Sequence, residues 1–134
     1  MNYFLDTSAL LLHYRDESGA ERLQEIFEEA GAEFRVASPS LTEFFRRMAA
    51  LEEPKEKTLR AWHTYRRMFR EVVSVGEEVA TAAVRLGVSS SGRLPLTDAL
   101  IAACALVTRS RLLHADPHFE RIPKNLLKQE RLRD

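Results

Sequence analysis

Short apolar segments alternate with longer segments of helical periodicity along the whole chain. In the second helical segment, for example, Leu23, Ile26 and Phe27 fall on one face and glutamates on the other. The periodicity predicts helices over residues 8–14, 18–30, 38–51, 55–70, 76–86 and 96–108. The apolar segments predict strands over residues 2–6, 34–37, 72–75 and 111–113. A brief helical turn is predicted from Pro117, followed by a charged tail.

Strands that alternate with helices in this way indicate an α/β fold. They predict a parallel sheet whose strands are joined by right-handed crossovers. The sequence contains no internal repeat, low-complexity segment or linker, so we predict a single domain over residues 1–134.

The overall charge and the single cysteine limit the possible classes of function. The formal net charge is zero, with 20 basic and 20 acidic side chains. A protein that coats nucleic acid is usually basic, so a polyanion would have to bind through a local patch or a metal. Cys104 cannot form an internal disulfide and is expected to be a buried hydrophobe. Without an evident signal peptide or membrane span, we expect a cytoplasmic protein.

Four acidic residues occur where a parallel sheet would bring them to one edge. Asp6 ends the first strand, and Asp116 follows the fourth strand. Glu43 is predicted in the first turn of the helix after the second strand, and Asp98 opens the most apolar helix. The carboxyl ends of strands and the starts of the next helices line one crevice in such folds. Because clustered carboxylates repel each other, they predict a site for Mg²⁺ or Mn²⁺.

Each acid taken alone also has a structural interpretation as a helix cap. Asp6 and Asp116 could cap the helical segments that follow them, and Asp98 could favour the positive end of its helix. Glu43 could complete a capping box with a serine three residues earlier. Asp6 is the hardest to explain in this way, because an unpaired carboxylate at the end of a buried strand is costly.

Four segments, in order and spanning almost the whole chain, resemble the signatures of PIN-domain ribonucleases. They are FLDTSALL at residues 4–11, SLTEF at 40–44, LTDALIAA at 96–103 and LHADPHF at 113–119. Among these enzymes, the segments are most similar to the VapC toxins of type II toxin–antitoxin pairs. The resemblance implies a Rossmann-like, three-layer α/β/α sandwich with a short central parallel sheet. It also implies Mg²⁺ or Mn²⁺ as cofactor and endonucleolytic cleavage of RNA.

Carried over by position, the resemblance implies a catalytic and metal-binding quartet. Its members are Asp6, Glu43, Asp98 and Asp116, with the hydroxyl of Thr7 or Ser8 behind them. Members of the family are typically dimers, and a small protein antitoxin inhibits them by inserting a peptide near the site. A homodimer and an antitoxin partner are therefore expected here.

Two histidines depart from the family pattern around Asp116. The family often has threonine two residues before the last acid and another acid two residues after it, where this chain has His114 and His118. With fewer carboxylates, a second metal is expected to bind weakly. We hypothesise that one of these histidines makes activity fall at mildly acidic pH.

The basic helix over residues 55–70 allows two interpretations. It could be a track for the RNA backbone, or a solvated face balanced by nearby glutamates. Trp62, Tyr65 and Phe69 recur within it at spacings of three and four, which favours packing over base stacking. Lys124, Lys128 and Arg131 share a helical spacing in the tail, which either binds a partner or frays.

The sequence leaves several functions open. The leading hypothesis is a metal-dependent endoribonuclease acting as a toxin, in which Asp6 and Asp98 hold the principal metal. Glu43 and Asp116 would complete the site or orient the water. The second is a catalytically inactive PIN-like module that binds RNA or a protein. A phosphatase of the haloacid dehalogenase type would need a second acid where Ser8 stands, and a phospho-receiver domain lacks a suitably placed lysine.

Overall fold

The computed structural model describes residues 1–133. Its strands are β1 (Asn2–Leu5), β2 (Glu33–Ala37), β3 (Phe69–Val73), β4 (Arg111–His114) and β5 (Gln129–Arg131). Its helices are α1 (Thr7–Tyr14), α2 (Ala20–Phe27), α3 (Ser38–Ala50), α4 (Lys55–Met68), α5 (Glu77–Ser89) and α6 (Leu96–Val107). A 3₁₀ turn spans Pro117–Arg121. Within residues 1–133, every helix is too short or too polar to cross a bilayer.

The strands form one parallel sheet in the order β3-β2-β1-β4-β5, which confirms the predicted α/β class. β1 lies at the centre, and its side chains alternate between two cores. Leu5 belongs to one core and Phe4 to the other. A strand covered on both faces has to be apolar throughout, which explains the uninterrupted apolar run at the start of the chain.

The two cores lie on opposite faces of the sheet and make the fold a three-layer sandwich, as predicted. Helices α1 to α4 pack around the first core, where Trp62 and Tyr65 are buried against Phe44. The packing role predicted for these aromatic residues is therefore confirmed. Helices α5 and α6 pack around the second core, which contains the buried Cys104.

Several element boundaries differ from those predicted. Phe69 takes up an extended conformation directly after α4, so β3 begins three residues earlier than the apolar pattern indicated. Helix α5 continues through Gly87 to Ser89, because a single glycine weakens a helix without ending it. Helix α2 is shorter than predicted, since Gly19 precedes it with a left-handed φ of 99° and it ends at Phe27.

The prediction that the charged tail frays is wrong. Residues 129–131 form strand β5, which pairs in parallel with β4. The backbone N–H of Leu112 donates to the Lys128 carbonyl at 2.9 Å, and that of Leu132 donates to the His114 carbonyl at 2.7 Å. Leu127 and Leu132 flank the strand and are buried. Backbone pairing and these two leucines hold a segment whose own residues show no strand pattern.

Candidate active site

The structure brings all four predicted acids to the carboxyl edge of the sheet. Asp6 directly follows β1, and Asp116 lies two residues beyond the adjacent strand β4. Asp98 lies in the first turn of α6, and Glu43 lies in the second turn of α3 rather than the first. Burial is the main cause of the raised pKa of Asp6 and of Asp98. The charges of Asp116 and Asp98 add to the rise for Asp6, and the charge of Glu43 adds to that for Asp98, so the four acids interact electrostatically.

Asp6 is the most deeply buried member of the group. Only 3% of the residue is exposed, and its carboxylate accepts hydrogen bonds from the Ser8 hydroxyl at 2.7 Å and the Ala9 amide at 2.9 Å. It therefore caps α1, as the structural interpretation predicted, but capping does not offset its burial. Burial raises the pKa of Asp6 to about 7, the two hydrogen bonds oppose this effect, and the charges of Asp116 and Asp98 contribute a smaller rise.

The two hydroxyl residues after Asp6 connect it to neighbouring parts of the site. The Ser8 hydroxyl donates to Asp6 and accepts a hydrogen bond from the Ala115 amide at 2.9 Å, so it links the loops after β1 and β4. The Thr7 hydroxyl donates to Oε1 of Glu43 at 2.5 Å. Each hydroxyl thus fixes the orientation of one acid.

His118 lies between the other two aspartates. Its Nδ1 is 3.1 Å from Oδ2 of Asp98 and 3.2 Å from Oδ1 of Asp116. One ligand atom from each of the three residues lies within 4.8 Å of the other two. Burial and the charge of Asp116 raise the pKa of Asp98, and the hydrogen bond with His118 partly opposes this effect.

His114 is fully buried and supports the loop that carries Asp116. The Asp116 amide donates to Nδ1 of His114 at 3.2 Å, so this nitrogen carries no proton. Nε2 must then donate to Oε1 of Gln129 at 2.7 Å, and the Gln129 amide group donates to the Phe119 carbonyl at 3.0 Å. This chain of hydrogen bonds, the His114–Gln129 relay, is consistent at every donor and acceptor only for neutral His114. Burial also lowers the pKa of His114, in agreement with this tautomer.

The donor set fits a hard divalent cation. Asp6, Asp98 and Asp116 offer carboxylate oxygens, the ligands that Mg²⁺ and Mn²⁺ prefer. Burial, with a smaller contribution from neighbouring carboxylates, raises the pKa of both Asp6 and Asp98, so their ionised forms are costly without a cation. Among the described residues, the ligand atoms that already lie close together are those of Asp98, Asp116 and His118. Asp6 interacts with the two aspartates electrostatically, and Glu43 is bound to Thr7.

The basic residues of α4 form a separate surface. Arg60, His63, Arg66 and Arg67 line a shallow depression that contains none of the four acids. The expectation of a backbone track beside the site thus gains no support from this depression.

Sequence reasoning missed Gln129, because strand β5 was not predicted. His118 was noted in the sequence as a departure from the family pattern and as one of two histidines that could affect activity at mildly acidic pH. Its position between two acids depends on the 3₁₀ turn, which places its Nδ1 beside Oδ1 of Asp116.

Comparison with known proteins gives the family. No curated protein sequence matches the chain significantly. The fold is similar to that of a chain in the structure of VapBC2 from Rickettsia felis bound to a promoter DNA fragment, with 18% identity, 98% of both chains covered and a TM-score of 0.76. It is also similar to a chain of VapBC-1 from nontypeable Haemophilus influenzae, with 18% identity, 98% of both chains covered and a TM-score of 0.71.

A third similar chain occurs in a toxin–antitoxin complex from Klebsiella pneumoniae, with 16% identity and a TM-score of 0.65. That match covers 86% of this chain and 87% of the other. At these identities the similarity establishes the fold alone. The family model of the PIN domain, however, matches residues 3–125 of the sequence. The chain therefore belongs to the PIN domain family.

Proposed function

We propose that this protein is a metal-dependent endoribonuclease that hydrolyses RNA phosphodiester bonds as the toxin of a toxin–antitoxin pair. The observation that carries the proposal is the burial of Asp6 beside two further aspartates, which raises its pKa to about 7. A fold does not gain stability from such an arrangement, whereas a cation site requires it. PIN domains are generally nucleases, which is consistent with this chemistry.

The proposed roles combine the positions that the resemblance to PIN-domain ribonucleases implies with the contacts of the acids. Asp6 and Asp98 would hold the principal ion, and Asp116 would complete its ligands. A divalent ion at such a site supplies positive charge that activates water and stabilises the leaving oxygen. Glu43 uses Oε1 to accept from Thr7, and its second oxygen could orient the attacking water or accept its proton.

The residues behind the acids keep the site in place. Ser8 holds the Asp6 carboxylate and the Ala115 amide at a fixed separation. The His114–Gln129 relay fixes the position of the Asp116 amide, which donates to Nδ1 of His114. Preorganisation of this kind reduces the rearrangement needed when substrate and ion bind.

The antitoxin and the homodimer are proposed from the structural relatives. The similar chains come from VapBC and toxin–antitoxin complexes, so a small protein partner is a reasonable expectation for this chain. Purified protein can be tested for dimerisation by sedimentation, and the gene's neighbours can be tested for a protein that suppresses cleavage.

One observation favours the second candidate function, an inactive module that binds RNA or protein. His118 presents a nitrogen to both Asp98 and Asp116, a place that a cation could otherwise occupy. If the histidine replaced the ion, the domain could bind RNA without cutting it. Measurable binding of Mn²⁺ would argue against this candidate.

The test is cleavage of a mixed pool of structured RNAs with Mn²⁺, with Mg²⁺ and with EDTA. Asp6→Asn should abolish cleavage without unfolding the protein, whereas Asp16→Asn makes the same chemical change at an exposed position and should be fully active. Full activity of Asp6→Asn would refute the assignment. If nothing is cleaved, calorimetric titration with Mn²⁺ separates a nuclease that lacks its target, which binds the ion, from an inactive module, which does not.

A further inference from the structure

The imidazole of His118 has the geometry of a metal ligand. Two ligands at right angles on an ion with bonds of about 2.1 Å are about 3.0 Å apart. Nδ1 of His118 lies 3.1 Å from Oδ2 of Asp98 and 3.2 Å from Oδ1 of Asp116, close to this separation in both cases. The three atoms could therefore occupy neighbouring positions around one ion after only small movements.

The backbone holds His118 in this position. Asp116 caps the 3₁₀ turn, and its Oδ1 accepts the His118 amide at 2.9 Å. The next residue, Phe119, is fully buried in the second core and packs against the ring of His114. The turn is thus fixed on both sides of His118, and its ring faces the acids without help from a flexible loop.

Hydrogen bonding alone leaves this arrangement incompletely satisfied. A single N–H at Nδ1 can point at only one of the two carboxylates at a time, although both lie within contact distance. A cation between the three atoms would interact favourably with all of them. Asp6 interacts electrostatically with both aspartates and adds to the negative charge around the three atoms.

We propose that His118 is a nitrogen ligand of the metal in this site and makes the site prefer Mn²⁺ to Mg²⁺. The proposal rests on the metal site of the proposed function. Mg²⁺ binds oxygen ligands and gives up its waters reluctantly, whereas imidazole suits later first-row ions. Substituting a neutral nitrogen for a carboxylate also removes one negative charge, which penalises an ion held mainly by charge. Mn²⁺ accepts carboxylate and imidazole together and gains from the nitrogen.

The test measures coordination directly and does not depend on activity. In electron spin-echo spectra of the Mn²⁺-loaded protein, a coordinated imidazole gives ¹⁴N modulation. We expect this signal from the unaltered protein, a different signal after ¹⁵N-histidine labelling, and its loss in His118→Ala and His118→Asp. His63→Ala removes an exposed histidine of α4 and should leave the signal unchanged.

Calorimetry with Mn²⁺ and Mg²⁺ gives the second measurement. His118→Ala should weaken Mn²⁺ binding by at least about tenfold, since even residues behind metal ligands change affinity by that factor. His118→Asp should lower the ratio of Mn²⁺ to Mg²⁺ affinity. Because His118 is partly exposed, neither variant is expected to unfold, and circular dichroism checks this.

The outcomes separate this inference from the proposed function. Mn²⁺ binding without nitrogen modulation, or with modulation that survives in His118→Ala, would overturn the ligand role and leave the nuclease proposal standing. Absence of divalent-ion binding in every variant would overturn both. Nitrogen modulation that depends on His118, combined with a lower Mn²⁺ to Mg²⁺ ratio in His118→Asp, would support the inference.

Discussion

Removing the charge of Asp6 should stabilise the metal-free protein. The carboxyl group titrates near 4 in an unfolded chain, and its pKa is about 7 in the fold. The folded state therefore binds the proton more tightly than the unfolded state does. The stability associated with protonated Asp6 is fully present below about pH 4 and is lost as the pH rises through about 7.

The magnitude follows from the difference between the two pKa values. At about 1.4 kcal/mol per pH unit, the ionised carboxylate costs about 4 kcal/mol above pH 7. Asp6→Asn keeps an oxygen that can accept from the Ala9 amide and carries no charge. Its stability advantage over the unaltered protein should grow by about 2.5 kcal/mol between pH 5 and pH 8. At pH 8 the thermal midpoint should rise by on the order of 10 °C.

Urea denaturation in EDTA, at pH 5 and at pH 8, measures this difference. Trp62 is the single tryptophan of the chain and is buried, so its fluorescence reports unfolding. Asp16→Asn is the matched control, because it alters an exposed aspartate and should show no pH-dependent advantage. A stability difference for Asp6→Asn that does not change with pH, or a variant less stable than the unaltered protein at pH 8, would refute the reasoning.

Three further outcomes are expected. His114→Ala and Gln129→Ala should each weaken Mn²⁺ binding about 10- to 100-fold in calorimetry, because each breaks the His114–Gln129 relay that holds the loop of Asp116. Unchanged affinity in either variant would contradict this role of the relay. At subsaturating Mn²⁺, cleavage should fall as the pH drops below about 7, since protons compete with the ion for Asp6. A flat profile from about pH 5.5 to 7.5 would exclude this. Gly19→Ala should lower the free energy of unfolding more than Gly31→Ala does. Both glycines have positive φ, but only at Gly19 would the added Cβ meet a carbonyl oxygen, that of Leu132 at 2.8 Å. Equal losses of unfolding free energy in urea titrations would contradict this.

Protonation of Asp6 is an alternative to histidine protonation as the cause of the expected fall in activity at mildly acidic pH. His114 is buried, accepts a backbone N–H at Nδ1, and has a lowered pKa, so it should stay neutral through the mildly acidic range. Asp6, by contrast, has a pKa within that range. A pH–rate profile that keeps its inflection in a His114→Gln variant would exclude His114 as its cause and leave His118 and Asp6 as candidates.

The central part of the fold could be predicted because the pattern that specifies it lies within short stretches of sequence. Residues Tyr3 to Leu5 of β1 include no charged or amide side chain. Such an uninterrupted apolar run is typical of a strand that is covered on both faces of the sheet. Once the strands are parallel, the positions of Asp6 and Asp116 after adjacent strands follow from topology. The meeting of the acids was therefore predictable without any knowledge of side-chain packing.

The outer parts of the sheet could not be predicted in the same way. Strand β5 consists of Gln129, Glu130 and Arg131, which show no apolar alternation. It is held by backbone pairing with β4 and by the buried Leu127 and Leu132 on either side of it, while Glu130 also forms a partly exposed ion pair with Arg22 at 2.8 Å. Both interactions join residues far apart in sequence, so no local window contains them. The Gln129 contact to His114 was missed for the same reason.

The burial of Cys104 makes the protein well suited to site-specific labelling. Its side chain is fully buried in α6, and burial raises the pKa of its thiol to about 11, so about one thiol in 10⁴ is ionised at neutral pH. Maleimide and methanethiosulfonate reagents, which react with thiolates, should leave it untouched. A cysteine introduced at the exposed Val88 could thus carry a nitroxide or fluorophore without removal of the native one. Distances from such a probe to bound Mn²⁺ or RNA could then be measured in an otherwise unaltered chain.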